Sequence, residues 1–197
     1  MTTVKELRDG FEPLPLDLQG WNSTAPVFKE LVTDVKPLVI LEVGSWKGAS
    51  AIHMAHICKE LGLVTKIYCV DTWLGAKEFW TMTTPERDLM LKHGYPQVYY
   101  QFLSNVIHEG VDEMIVPIPA TSSVGASLVP QADLIYIDAS HEYEDVKRDI
   151  EYYWKRLRKG GVMFGDDYGN TVFPGVKKAV DEWDFAVTNN WHWVCKK

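Results

Sequence analysis

The sequence predicts an α/β fold: a doubly wound, mostly parallel, seven-stranded sheet with one antiparallel strand near the C-terminus. Three observations carry this. From Leu38 onward, short apolar runs alternate with stretches of helical period. The runs are apolar throughout rather than at every second residue, as strands covered on both faces require. Polar clusters stand where the runs end, at Glu42 to Gly44, Asp71, Thr121-Ser122, Asp138 and Asp166-Asp167. Open α/β sheets bind their ligands at those strand ends.

Residues 1–37 read as an N-terminal arm and a short helix. The arm is interrupted by Pro13 and Pro15, and the helix runs from about Pro26 to Val35 before Pro37. Residues 38–197 then form one domain. The first strand is Leu38 to Val43, followed by a turn over Gly44 to Gly48. A helix from Ala49 to Leu61 carries Ala51, Met54, Ala55 and Cys58 on one stripe and stops at Gly62. Lys66 to Val70 is the second strand, closed by Asp71. Thr72 to Tyr95 is irregular and rich in aromatic residues, and Pro96 to His108 is helical. Met114 to Ile118 is the third strand, with Pro117 tolerable at an edge or an end. Thr121 to Leu128 reads as a short helix and Leu134 to Ile137 as the fourth strand. The clearest helix runs from Glu142 to Arg158, with Tyr143, Val146, Ile150, Tyr153 and Leu157 on one face and Gly160-Gly161 as its stop. Val162 to Phe164 is the fifth strand, and Pro174 opens another helix. Phe185 to Val187 and Trp191 to Cys195 are two last strands joined by a turn at Asn189-Asn190. Strands alternating with helices imply right-handed crossovers, and the helix-free closing pair implies the antiparallel addition.

Bulk properties exclude several classes. The chain has 197 residues, 46% hydrophobic and 24% charged, within the range of one globular domain. Its net charge of -7 argues against a nucleic-acid partner, which favours a basic face. The one dense basic run, Lys155 to Lys159, falls at the expected end of the long helix, where cations suit the dipole. Cys58, Cys69 and Cys195 form no metal or disulfide spacing and fit a reducing cytoplasm. No apolar run suggests a membrane span, and the start of the chain shows no signal-peptide pattern.

The first loop, Glu42-Val43-Gly44-Ser45-Trp46-Lys47-Gly48-Ala49-Ser50, indicates the ligand. Glycine permits a sharp turn and close approach of backbone to ligand. A dinucleotide fingerprint needs glycine at the place of Trp46, and no Gly-Lys-Ser/Thr of a P-loop follows. An acid before the first glycine suits an amine-bearing ligand, and Asp71 could accept hydrogen bonds from both ribose hydroxyls. Together they point to adenosine joined to an amino acid. The plain alternative is that Gly44 and Gly48 only serve a strand-to-helix turn.

At this point the sequence resembles a known family. Glu42-x-Gly44-x-x-x-Gly48-x-Ser50 is similar to motif I of class I S-adenosylmethionine-dependent methyltransferases, which have Rossmann-like sheets. Val70-Asp71-Thr72-Trp73 resembles their ribose-binding motif in the form seen in small O-methyltransferases. The resemblance covers about residues 38–197. It implies that Glu42, Gly44, Ser45, Gly48 and Ser50 line the methionine part of the cofactor. Asp71 would hold the ribose, Thr72 and Trp73 would flank the adenine, and Ser122 would lie near its edge. Asp138 is expected at the cofactor as well. Trp46 departs from the more glycine-rich form of the motif.

The second cluster is acidic. Asp138-Ala139-Ser140-His141 follows the fourth strand and Gly165-Asp166-Asp167-Tyr168 the fifth. Converging carboxylates repel one another unless protonated or bound to a cation, and oxygen ligands suit Mg²⁺, Ca²⁺ or Mn²⁺. Such an ion would lower the pKa of a substrate hydroxyl and fix it in place. Asp138, Asp166 and Asp167 resemble the metal sites of catechol-type and macrolide-sugar O-methyltransferases. Asp167 stands where the catechol type has an amide, so the likeness is closer to the sugar-modifying group. The alternative is that these acids are polar strand ends without a metal. His141 could accept the substrate proton, or else cap the following helix or orient Asp138. The expectation is a metal-assisted O-methyltransferase acting on a small sugar, polyol or phenol, with the segment from Thr72 to Tyr95 covering the acceptor. A metal-independent enzyme using His141 or Asp138, and a cofactor-binding protein without catalysis, stand as alternatives. Aromatic residues of the arm could support a homodimer.

Overall fold

A computed structural model describes residues 1–82, 84–183, 186–188 and 191–197, the stretch 186–188 as backbone. Seven strands form one sheet: β1 (Val39–Val43), β2 (Lys66–Asp71), β3 (Ile115–Pro119), β4 (Ala132–Ile137), β5 (Leu157–Gly165), β6 (Ala186–Thr188) and β7 (His192–Lys196). Their order is β3-β2-β1-β4-β5-β7-β6. The first five strands are parallel, while β7 runs antiparallel to both β5 and β6. The expected architecture is therefore present. The expected turn at Asn189-Asn190, and Phe185 at the start of the sixth strand, lie outside the described residues.

Alternation along the buried strands explains the two layers. Ile40, Ile67, Cys69, Ile115, Leu134, Tyr136 and Phe164 face one side. They pack there against α2 (Pro26–Val35), α3 (Ala49–Glu60) and α5 (Val98–His108). Leu41, Val43, Val70, Val116, Ile135 and Met163 face the other. Their partners are α6 (Ser122–Leu128), α7 (Tyr143–Trp154) and α8 (Pro174–Val180). Two short helices complete the set, α1 (Val4–Leu7) near the N-terminus and α4 (Lys77–Thr81) after β2. Pro117 lies inside β3, which is an edge strand, so its missing N–H leaves no neighbour unpaired.

Two local expectations are corrected. The long helix ends at Trp154 instead of Arg158, because Leu157 already pairs with Ala132 of β4. The basic run thus begins at the helix C-cap, Lys155, and continues through a turn into the start of β5. Arg158 pairs with Asp133 at 2.7 Å. Gly160-Gly161 do not stop a helix; they sit inside β5, in a stretch where the register against β4 shifts between Ala132 and Leu134.

The arm is bonded to the domain. Leu14 N donates to Ser104 Oγ, Asp17 N donates to Asn105 Oδ1, and Asn105 Nδ2 donates to the carbonyls of Asp17 and Lys47. Lys47, only 5% exposed in its side chain, meets Asp17 at 2.6 Å. These bonds carry the chain over the carboxyl ends of the strands. Trp21 and Asn22 thereby become part of a cavity of about 690 Å³.

Candidate active site

The strand order changes direction between β1 and β4, and the cavity opens at that switch point. Gly44, which ends β1, has φ +85°, and a Cβ there would stand 2.1 Å from the Asp138 carbonyl oxygen. Only glycine lets the two loops touch. Trp46 follows with φ +47°, a left-handed state that costs a side-chain-bearing residue about 1–2 kcal/mol. Its neighbours offset the strain. Asp71 Oδ2 accepts the N–H of both Ser45 and Trp46 at 2.9 Å, and Trp46 Nε1 donates to Gln19 Oε1 at 3.0 Å. Asp71 Oδ1 accepts Trp73 N at 2.7 Å. Burial pushes the Asp71 carboxyl above its usual range, against these three backbone donors.

Glu42 lies beneath the loop and is fully buried. Its two oxygens accept the hydroxyls of Ser45 and Ser50, each at 2.6 Å. Burial lifts its pKa to about 7, the serine hydroxyls opposing and the charge of Asp138 adding.

Of the residues expected at a cofactor, Gly44, Ser45, Ser50, Asp71, Thr72, Ser122 and Asp138 line the cavity. Glu42, Gly48 and Trp73 do not. Glu42 sets Ser45 and Ser50 from below. Gly48 is the N-cap of α3 with φ +88°, facing Phe102. Trp73 is 2% exposed, stacks within 4.8 Å of Tyr99 and Phe102, and donates Nε1–H to the Trp46 carbonyl at 2.8 Å. It braces the loop from behind and is not part of the cavity wall.

The acidic cluster differs from the expected trio. Asp138, His141 and Asp167 offer ligand atoms all within 4.8 Å of one another. Asp166 turns away: its Oδ2 accepts Asn22 Nδ2 at 3.0 Å and its Oδ1 accepts Asp167 N at 2.8 Å. His192 approaches that same Oδ1 at 3.5 Å. Burial, then the charge of Asp138, raises the Asp166 carboxyl.

His141 occupies the centre. Its Nε2 stands 3.0 Å from Asp167 Oδ2 and 3.9 Å from Asp138 Oδ1, its Nδ1 stands 3.0 Å from Glu78 Oε1, and its ring stacks on Phe173 at 3.9 Å. Burial alone would lower its pKa, but Asp138, Asp167 and Glu78 outweigh it and push it up to about 11. Carboxylates facing both ring nitrogens favour the charged form of His141, which opposes its use as a proton acceptor. The 3.9 Å approach of His141 to Asp138 Oδ1 is a charge contact longer than a hydrogen bond. Asp138 Oδ2 accepts the Tyr136 hydroxyl at 3.0 Å, and its Oδ1 keeps acceptor capacity toward the cavity.

The segment from Thr72 to Tyr95 supplies Gly75, Ala76, Glu78, Phe79 and Arg87 to the cavity wall, as a cover would. Trp80 and Tyr95 are exposed and lie outside it. Sequence reasoning missed Glu78, Asn22 and Arg87. No local pattern marks them, since Asn22 comes from the arm, Glu78 from the short α4 and Arg87 from a 3-10 turn, all placed by tertiary contacts. The same cavity is without a phosphate cradle: the N–H groups of Ser45 and Trp46, which would face a pyrophosphate, are both taken by Asp71.

Comparison with known proteins agrees with this geometry. A family described as "Methyltransferase domain" matches residues 41–168. An uncharacterised protein of Acanthamoeba polyphaga mimivirus is 36% identical over 85 residues, covering 39% of this chain and 36% of that protein. An uncharacterised protein of Sinorhizobium fredii is 26% identical over 149 residues, covering 75% of this chain and 15% of that protein. The matches thus span well under half the length of these curated relatives. Among solved structures, the O-methyltransferase NovP superposes with a TM-score of 0.66 at 17% identity, over 89% of this chain and 79% of its own. The O-methyltransferase TomG of Streptomyces achromogenes, in complex with S-adenosylmethionine, gives 0.64 at 14% identity over 98% and 87%. An O-methyltransferase of Bacillus cereus in complex with S-adenosylhomocysteine gives 0.60 at 15% identity over 98% and 89%.

Proposed function

The chain belongs to the methyltransferase-domain family, matched over residues 41–168, and from that premise we propose that it transfers the sulfonium methyl of S-adenosylmethionine to a hydroxyl oxygen of a small acceptor, with a divalent cation assisting. The observation that carries the reading is the loop between β1 and α3. Its backbone donors are spent on Asp71, its glycine touches the Asp138 loop, and its hydroxyls are fixed by Glu42. Such a surface suits a ligand of amine, carboxylate and ribose better than one of phosphates. Ser45 and Ser50 would meet the methionine part, Asp71 and Thr72 the ribose, and Ser122 the adenine edge.

The transfer is in-line. The acceptor oxygen bonds to the methyl carbon as the carbon–sulfur bond breaks, and the electron pair stays on sulfur to give S-adenosylhomocysteine. The methyl is already activated, so the protein's contribution is alignment and a deprotonated nucleophile. Asp138, which lines the cavity, would take the hydroxyl proton through Oδ1. Trp21 and Asn22 of the arm, with Phe79 and Arg87 of the cover, would limit water at the reacting atoms.

Asp138, His141 and Asp167 fit a divalent cation. They would present two carboxylates and, once His141 gives up the proton on Nε2, one imidazole, with Glu78 at Nδ1 as a carboxylate commonly stands behind a ligating histidine. Bound there, the cation would lower the pKa of the acceptor hydroxyl and hold it in place. One observation favours a metal-independent reading: His141, facing Asp167 and Glu78, can itself bring a positive charge to the acidic group. Calorimetry with S-adenosylhomocysteine tests the cofactor assignment, and absence of binding would sink it. Transfer of labelled methyl to a panel of hydroxylated acceptors, with and without EDTA, separates the two readings. Activity lost on chelation and restored by Mg²⁺ or Mn²⁺ is expected, and activity indifferent to EDTA leaves His141 as the only cation required.

A further inference from the structure

We infer that Arg87, set against the aromatic wall of Trp21, Trp46 and Phe79, binds a carboxylate carried by the methyl acceptor, so that the acceptor class is a hydroxylated aromatic acid. The inference deepens the O-methyl-transfer reading and rests on it.

Arg87 ends a short 3-10 turn, Pro85–Arg87, and lines the cavity. It is the one Arg or Lys in the cavity wall among the described residues. Its Nε is buried and has no hydrogen-bond partner among them. A guanidinium is charged at every relevant pH, and a desolvated donor without an acceptor is costly. Its nearest aromatic neighbour, Trp21, lies 5.5 Å away and offers a ring face, not an acceptor oxygen. Glu78, the carboxylate on the same side of the cavity, is committed to His141 Nδ1. Arg87 therefore brings to the cavity wall a buried N–H with no acceptor among the described residues.

The wall beside it is aromatic. The Trp46 and Phe79 rings lie 4.4 Å apart, and Trp21 meets Phe79 edge-on at 6.0 Å. Trp21 remains 42% exposed, which leaves area for a planar ligand to cover. Stacked or edge-on contacts there suit an aromatic ring. The planar guanidinium matches a carboxylate in bidentate fashion. Five acids line the same cavity, Asp71, Glu78, Asp138, Asp166 and Asp167. Their repulsion favours a single negative charge over a phosphate dianion.

The test uses wild-type protein, Arg87→Gln and Arg87→Lys, each saturated with S-adenosylhomocysteine. Calorimetry compares 3,4-dihydroxybenzoate with 3,4-dihydroxybenzamide, and 4-hydroxybenzoate with 4-hydroxybenzamide, with 4-hydroxyphenyl phosphate as the dianion arm. In the wild type each acid binds about tenfold or more tighter than its amide, as a charge-assisted fork implies. In R87Q the ratio falls to about twofold or less, with R87K between, because lysine keeps the charge and loses the fork. For acids that are methylated, R87Q raises KM with kcat little changed. Equal affinity for acid and amide in the wild type overturns the inference. So does an unaltered preference in R87Q, tighter binding of the phosphate, or no binding of either acid. Melting temperatures confirm that the variants fold. Failure of the wild type to bind S-adenosylhomocysteine strikes the methyltransferase reading, whereas cofactor binding without acid preference strikes only this inference.

Discussion

Replacing Trp73 by phenylalanine separates a scaffold residue from a ligand contact. The resemblance at Val70 to Trp73 implied that this indole flanks the adenine, whereas the structure buries it at 2% exposure behind the loop. Phenylalanine keeps an aromatic ring between Tyr99 and Phe102 but removes the donor to the Trp46 carbonyl, 2.8 Å away. Loss of that hydrogen bond costs about 0.5–1.5 kcal/mol. The missing volume, roughly 35–40 Å³ at ~24 cal/mol per Å³, adds about 0.9 kcal/mol if the site does not collapse. The total of about 1.5–2.5 kcal/mol lowers the melting temperature of a domain this size by roughly 3–10 °C. Cofactor affinity changes only as far as the loop loosens, by at most about tenfold, the whole hydrogen-bond term. Thermal melting and calorimetry with S-adenosylhomocysteine, run on the same preparation, read both. A melting temperature within about 1 °C of wild type, together with a larger loss of affinity, would refute the scaffold role and return Trp73 to the adenine.

Three further outcomes are expected. Gly44→Ala places a Cβ 2.1 Å from the Asp138 carbonyl at a φ of +85°, so the two loops separate. Stability falls by at least about 2 kcal/mol and cofactor binding is lost; wild-type affinity in this variant would show that the contact is dispensable. Asp149 on α7 is 4% exposed, and burial, opposed by Ser122, lifts its pKa from 3.8 to about 7. A carboxyl with a raised folded-state pKa contributes most below its unfolded pKa and loses that contribution as pH rises toward 7. Urea unfolding should therefore favour Asp149→Asn over wild type by an amount that grows on the order of 3–4 kcal/mol between pH 4 and pH 8; a flat difference would contradict the buried, protonated acid. Asp17→Asn removes the partner of the buried Lys47 ammonium. Because Asp17 is itself partly exposed, the cost is discounted to about 1–3 kcal/mol, seen as a lower urea midpoint that high salt partly masks in the wild type; unchanged stability would show that Lys47 finds another acceptor.

Strand and helix existence was legible because burial on both faces leaves an apolar run that no surface segment shows. Of the two places that Pro117 allowed, an edge or a strand end, the structure takes the edge, since β3 is the outer strand. The end of the long helix was misplaced because Leu157 continues the apolar stripe of α7. Its pairing with Ala132 is a contact between strands that helical periodicity does not encode. At the site, residues at strand ends were found and residues on irregular segments were not. Glu78 is 63 positions from His141, and Asn22 is 144 from Asp166.

The loop that first indicated a ligand shows where the two sources of information divide. From sequence alone came the sheet, the acid-glycine loop, the argument from Trp46 against a pyrophosphate, and the acids after β4 and β5. Those follow from local chemistry: which residues tolerate burial, tight turns and close backbone approach. Tertiary structure decided what each polar group faces. It set Glu42 beneath Ser45 and Ser50, put Trp73 behind the loop, exchanged Asp166 for His141 in the acidic group, and left Arg87 Nε with no hydrogen-bond partner among the described residues. A side chain's protonation and role depend on neighbours distant in sequence. For this chain those neighbours come largely from the arm and from the segment after β2, whose paths are set by packing rather than by local propensity.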